Sequence, residues 1–123
     1  MVEITSHLAS VKISDARVAD LRKEILSILL KQDFIISKQD KRTIVGIRRS
    51  KWYEFRRSAI EVELRSIGKD CIINVEASPY SRFFTGRDIL AIFISANTAK
   101  WNLERFLESI KKLPYKIRVM SRA

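Results

Sequence analysis

Ala9, Val11 and Ile13 alternate with Ser10 and Lys12. This two-residue period predicts a half-buried strand. Ser14 then has the chemistry of a helix cap, with Asp15 favourable in the first turn. Val18, Leu21, Ile25, Ile28 and Leu29 follow at helical spacing, and Leu26 and Leu30 widen the face. The pattern predicts a helix to about Gln32.

Phe34 to Ser37 reads as a short strand, Gln39-Asp40-Lys41 as a turn, and Thr43 to Arg49 as a further β segment carrying Ile44, Val45 and Ile47. Ile60, Val62 and Leu64 alternate with Glu61, Glu63 and Arg65. Ile73, Val75 and Ala77 alternate with Asn74 and Glu76 on the return. Gly68, between them, is free to take positive φ, so a hairpin is expected, ended by Pro79. Residues 80–87 read as a loop. Ile89 to Ile94 is wholly apolar and rich in Ile, which favours a buried strand, with a helix continuing to Ala96 as the other reading. Asn97 or Thr98 can cap a final helix whose stripe is Ala99, Leu103, Phe106, Leu107 and Ile110. Pro114 stops it. From Tyr115 the alternation through Ile117 and Val119 fits either one more strand or a flexible basic tail over 114–123.

The expected fold is thus a single α+β domain over 1–123. It has an antiparallel sheet of four to six strands, two helices on one face, and the order β-α-β-β-β-β-(β)-α. Two amphipathic helices bury their stripes together only against a common sheet face. The other face carries Glu, Arg, Ser and Asn and is free to be wet. In element order alone, the pattern is similar to the helix-grip and TATA-box-binding-protein-like folds.

Composition adds few constraints. The chain has 123 residues, 46% of them hydrophobic, with three Gly and two Pro, which suits one globular domain. The longest uncharged apolar run, Ile89 to Ala96, is far short of the roughly 20 residues of a membrane span. No signal-peptide pattern opens the chain. A single Cys fits a reducing compartment, so a cytoplasmic location is expected.

Charge changes the picture. The net charge is +10, and it is concentrated. Residues 38–57 carry eight Lys/Arg and two acids, residues 111–123 carry five Lys/Arg and no acid, and the remainder is close to neutral. Arg48, Arg49, Lys51, Arg56 and Arg57 interleave with Trp52, Tyr53 and Phe55 within ten residues. Cations attract phosphates irrespective of sequence, and flat aromatics stack on exposed bases. The competing reading places Trp52 and Phe55 at the core edge and leaves the cations solvated. Lys116, Arg118 and Arg122 form a possible auxiliary arm, while Lys111 and Lys112 suit the C-terminal turn of a helix for structural reasons. Tyr80, Arg82, Phe84 and Arg87 repeat the aromatic-plus-Arg composition in a second connection.

The acidic positions raise the question of catalysis. Glu61 and Glu63 share a strand face with Arg65, and Asn74 and Glu76 lie across the hairpin. Convergent carboxylates of this kind hold a hard cation in metal nucleases, but alternating charge is ordinary on a wet strand face, and cross-strand Glu–Arg or Glu–Lys pairs explain these acids fully. His7 and Cys71, each the only residue of its type, are too few for a zinc site and read as structural. Phe83, Phe84, Phe93, Phe106 and Trp101 could line an apolar pocket of the helix-grip kind, or merely fill the core.

These features favour a non-catalytic protein that binds nucleic acid, RNA or single-stranded DNA ahead of duplex, since no helix is strongly basic along one face. No cofactor, metal or catalytic residue is expected. The alternatives are an interaction subunit docking on an acidic protein, or a small-molecule or lipid-binding module. An open sheet edge leaves room for a homodimer.

Overall fold

A computed structural model describes residues 7–48, 58–79 and 89–122, with side chains throughout except at 79, 89–98 and 122. The element order is β1 (His7–Ser14), α1 (Val18–Lys31), β2 (Phe34–Gln39), β3 (Thr43–Arg48), β4 (Ser58–Ile67), β5 (Asp70–Pro79), α2 (Ile89–Lys111) and β6 (Lys116–Arg122). The strands form one six-stranded sheet in the order β2-β3-β4-β5-β1-β6. Every neighbouring pair is antiparallel. The α+β class and the two helices on one face are as expected.

The alternating patterns resolve into two faces. Ala9, Val11 and Ile13 of β1, Ile60, Val62 and Leu64 of β4, and Cys71, Ile73, Val75 and Ala77 of β5 are buried. They share one core with Leu21, Ile25 and Leu29 of α1 and with Ala99, Leu103, Phe106 and Ile110 of α2. α2 packs over β5 and β4, and α1 over β2 and β4. Each strand places its intervening residues on the opposite face.

The turns follow local chemistry. Gly68 takes φ 61°, and β4 and β5 pair without a break from Ile67↔Asp70 to Ser58↔Pro79. The Asp40 carboxylate accepts backbone N–H bonds from Arg42 (2.9 Å) and Thr43 (2.8 Å), closing an Asx-type turn between β2 and β3. Those two bonds hold its carboxyl below the usual range.

Two expectations are corrected, and one open choice is resolved. Ser14 does not cap α1. Its backbone belongs to β1, opposite Lys116, and the helix starts four residues later behind Arg17, which makes no side-chain cap. Asp15 instead takes φ 52° and donates its backbone N–H to the Asp70 carboxylate at 3.2 Å. Sheet pairing on both sides of β1 thus overrides the capping preference.

Ile89 to Ile94 is helix, not strand. It forms the first turns of a 23-residue α2, so Asn97 and Thr98 lie inside the helix rather than at its start. A six-residue apolar run has no polar positions to reveal a period. In the longer frame, Ile92, Ala96, Ala99, Leu103, Phe106 and Ile110 recur at steps of four and three.

Of the two readings of the C-terminal segment, the strand is the one that forms. Lys116–Arg122 forms β6, paired with β1 on the edge of the sheet. The sixth strand thus follows the last helix instead of preceding it, and the order is β-α-β-β-β-β-α-β.

Candidate nucleic-acid interface

The residues that end β3 and begin β4 meet α2 from below. Ser58 opens β4 opposite Arg48, the last residue of β3. Its hydroxyl is buried, and Asn102 of α2 donates a short hydrogen bond to it from Nδ2. Asn102 is 2% exposed. Its other amide atom, Oδ1, accepts from Arg48 Nη1 at 2.6 Å. A buried asparagine thereby satisfies both of its ends, and one guanidinium is locked against the helix.

One residue earlier on α2 stands Trp101, half-exposed at 49%. The Arg48 guanidinium carbon lies 5.1 Å from the centre of its ring, and that of Arg105 lies 4.5 Å away. Both distances are within cation–π reach. Trp101 and Arg105 are four apart on one helix, so they share a face. Arg48 arrives from the sheet.

The electrostatics are unbalanced. Burial, and next the positive charge of Arg105, depress the pKa of Arg48, while Asp33 partly offsets them. Among the described residues neither guanidinium is ion-paired with a carboxylate, whereas Lys12 pairs with Asp70 at 3.4 Å. Two cations thus share one exposed indole at the point where the chain leaves β3 for the basic-aromatic stretch.

Of the residues picked out by sequence, Arg48 belongs to this cluster. Arg49, Lys51, Trp52, Tyr53, Phe55, Arg56 and Arg57 lie outside the described residues, as do Tyr80, Arg82, Phe84 and Arg87. Lys116 and Arg118 are exposed on β6, and Arg122 closes that strand.

The sheet does not bring Lys116 and Arg118 to Arg48. β3 and β6 are separated by β4, β5 and β1, a span of about 19 Å at the usual strand spacing. Register also sets Lys116 opposite Ser14, near the Gly68 turn, whereas Arg48 lies at the other end, opposite Ser58. Arg118 instead faces Lys12, whose β5 partner Ile72 faces Arg65, so three cations form a row across the open sheet face.

Trp101 and Arg105 were not picked out by sequence as members of this cluster. The sequence signal available was an aromatic with an Arg one turn later on the helix. It was masked because Trp101 reads equally well as core. Two residues considered for an apolar pocket separate: Phe106 is fully buried in the core and Trp101 is half-exposed. Phe83, Phe84 and the Phe93 side chain lie outside the description.

The carboxylates lie on the open face. Glu61 faces Glu76 directly, and Glu63 faces Asn74. With Leu8 and Ser10 they line an open depression of about 440 Å³. Ser10 Oγ donates to Asn74 Oδ1 at 2.6 Å. Among the described residues these acids form no cross-strand ion pair with Arg or Lys, and no group of three or more acidic, His or Cys residues is arranged to hold a metal. His7 lies half-buried in β1. Cys71 is buried in β5, where loss of solvent pushes its thiol pKa up.

Comparison with known proteins adds no family. No protein-family model matches the chain, and no curated protein matches it. Among solved structures, the chain is similar to a de novo designed protein, Ferredog-Diesel, at 12% identity and a TM-score of 0.42 over 98% of this chain and 89% of that one. A likeness at that level bears on neither site nor activity. Among the described residues, no helix is long and apolar enough to cross a membrane.

Proposed function

We propose that this protein binds single-stranded nucleic acid, RNA or DNA, without catalysis. The observation that carries the reading is the half-exposed Trp101 flanked by the guanidiniums of Arg48 and Arg105. It lies at the root of a stretch holding four more cations and three aromatics between residues 49 and 57. An exposed indole offers a stacking platform, and cations around it track a phosphate backbone. In this reading Arg48, Arg49, Lys51, Arg56 and Arg57 contact phosphates, and Trp52, Tyr53 or Phe55 adds stacking. Lys116 and Arg118 act as a separate electrostatic contact on the far edge of the sheet.

Fluorescence anisotropy with labelled single-stranded RNA, single-stranded DNA and duplex tests it across a salt series. Neutralising about five phosphates gives a slope of log K against log salt near −3.5 for a single strand. Arg56→Glu with Arg57→Glu weakens binding alike on all sequences. Binding that is absent at low salt, or indifferent to salt, rules the reading out.

A further inference from the structure

We propose that Trp101, Arg48 and Arg105 form a subsite for a single nucleotide, with the base stacked on the indole and its phosphate held by the two guanidiniums. This deepens the nucleic-acid reading above and rests on it.

Three observations converge on the subsite. The first is geometric. Both guanidinium carbons lie in direct contact range over the same ring, at 5.1 and 4.5 Å from its centre. They come from different elements, β3 and α2, so only the fold pairs them. A planar group that takes a face of the indole displaces a guanidinium from it and keeps both cations as neighbours.

The second is electrostatic. Arg48 is disfavoured in its charged form by burial and by Arg105, only partly offset by Asp33, and among the described residues no carboxylate is ion-paired with either cation. A bound anion relieves that repulsion. Guanidinium–phosphate contacts are charge-assisted and commonly bidentate, so they are stronger than the cation–π contacts they replace. Stacking of a base moves a guanidinium off the ring, and the phosphate of the same nucleotide receives it.

The third is preorganisation. Arg48 gives an N–H to Asn102, which is itself buried and held by Ser58. Its position is therefore set before a ligand arrives, and less side-chain freedom is lost on binding. Arg105 is anchored by its backbone, whose carbonyl accepts from the buried Gln32 side chain at 3.3 Å. Its side chain is left to adapt.

The ligand class follows from the combination. Phosphate alone does not use the exposed indole, and a nucleoside alone brings no charge to the two guanidiniums. A nucleoside monophosphate satisfies both.

The test uses the full chain, ¹⁵N-labelled. The sequence holds two Trp, so two indole N–H resonances are expected, and the one lost in Trp101→Leu is Trp101. The protein is titrated in parallel with AMP, adenosine and inorganic phosphate. AMP is expected to shift the Trp101 resonance saturably, at concentrations on the order of tenfold below those needed of adenosine or phosphate. Arg105→Gln is expected to weaken AMP about tenfold without weakening adenosine. A Trp101 resonance that ignores AMP, or answers AMP and adenosine equally, overturns the subsite, as does an Arg105→Gln protein with undiminished AMP affinity. Oligonucleotide anisotropy separates the two levels. If a single strand binds with its salt slope while AMP leaves Trp101 untouched, the subsite fails and the nucleic-acid reading stands. If no single strand binds, both fail.

Discussion

Arg48 at the end of β3 donates to Asn102 of α2 at 2.6 Å, and through Asn102 and Ser58 the sheet end and the long helix are joined by one polar chain. Asn102→Ala leaves the buried Ser58 hydroxyl and an Arg48 N–H without their partner. The expected loss is about 1–3 kcal/mol, the cost of a stranded buried polar group. Urea denaturation checks it. Adding Ser58→Ala to Asn102→Ala is expected to cost less than a further independent loss, because the stranded hydroxyl is removed.

Gly46 is a packing requirement rather than a turn. A Cβ there meets Phe34 Cβ and Cδ1 at 3.2 Å and Ile60 Cγ2 at 3.4 Å. Phe34 and Ile60 are themselves buried, so they have little room to yield. Gly46→Ala is expected to destabilise by about 1 kcal/mol, overpacking outweighing the gain in backbone rigidity. The urea midpoint measures it, and a Phe34→Leu background is expected to reduce the loss.

Glu61 and Glu76 face one another across β4 and β5 on the open sheet face, like charge against like. Glu76→Lys converts the repulsion into an attraction and is expected to stabilise by about 0.2–1 kcal/mol. Thermal melts at low ionic strength should show the gain, and 1 M salt should largely erase it. A gain unchanged by salt would point to packing instead of charge.

Cys71 makes stability fall in alkali. Burial raises its thiol pKa in the folded state, so the native chain keeps a proton that the unfolded chain gives up. That contribution is complete below the ordinary thiol pKa of about 8.5 and is lost as pH rises toward the folded value. Between pH 8 and pH 10 the wild type is expected to lose more stability than Cys71→Ala, measured by urea denaturation of both. Equal losses would show that the thiol is not the group responsible.

The hairpin of β4 and β5 was legible from the alternation of Ile60, Val62 and Leu64 with charged neighbours, since a two-residue period has one solution. The stripe Leu21, Ile25, Ile28 and Leu29 was legible for the same reason at helical period. Ile89 to Ile94 was not, because a run with no polar member has no period to read. Nor was the start of α1, where β1 keeps Ser14 in the sheet through pairing with β6, a segment about a hundred residues away.

The candidate site divides along the same line. Clustered charge was visible in the sequence, as was the aromatic content around Arg48. Trp101 and Arg105 lie more than fifty residues beyond Arg48, and nothing local distinguishes an indole that faces solvent from one that fills a core. That outcome depends on which face of α2 the sheet covers. Composition and periodicity are sums over neighbours in the chain, so the sequence by itself determined the α+β class, the hairpin, the two helical stripes and the location of the positive charge. Proximity between distant segments is set by sheet order and helix packing. The tertiary structure alone therefore decided that Arg48 meets Trp101 and Arg105, and that Lys116 and Arg118 lie on another edge.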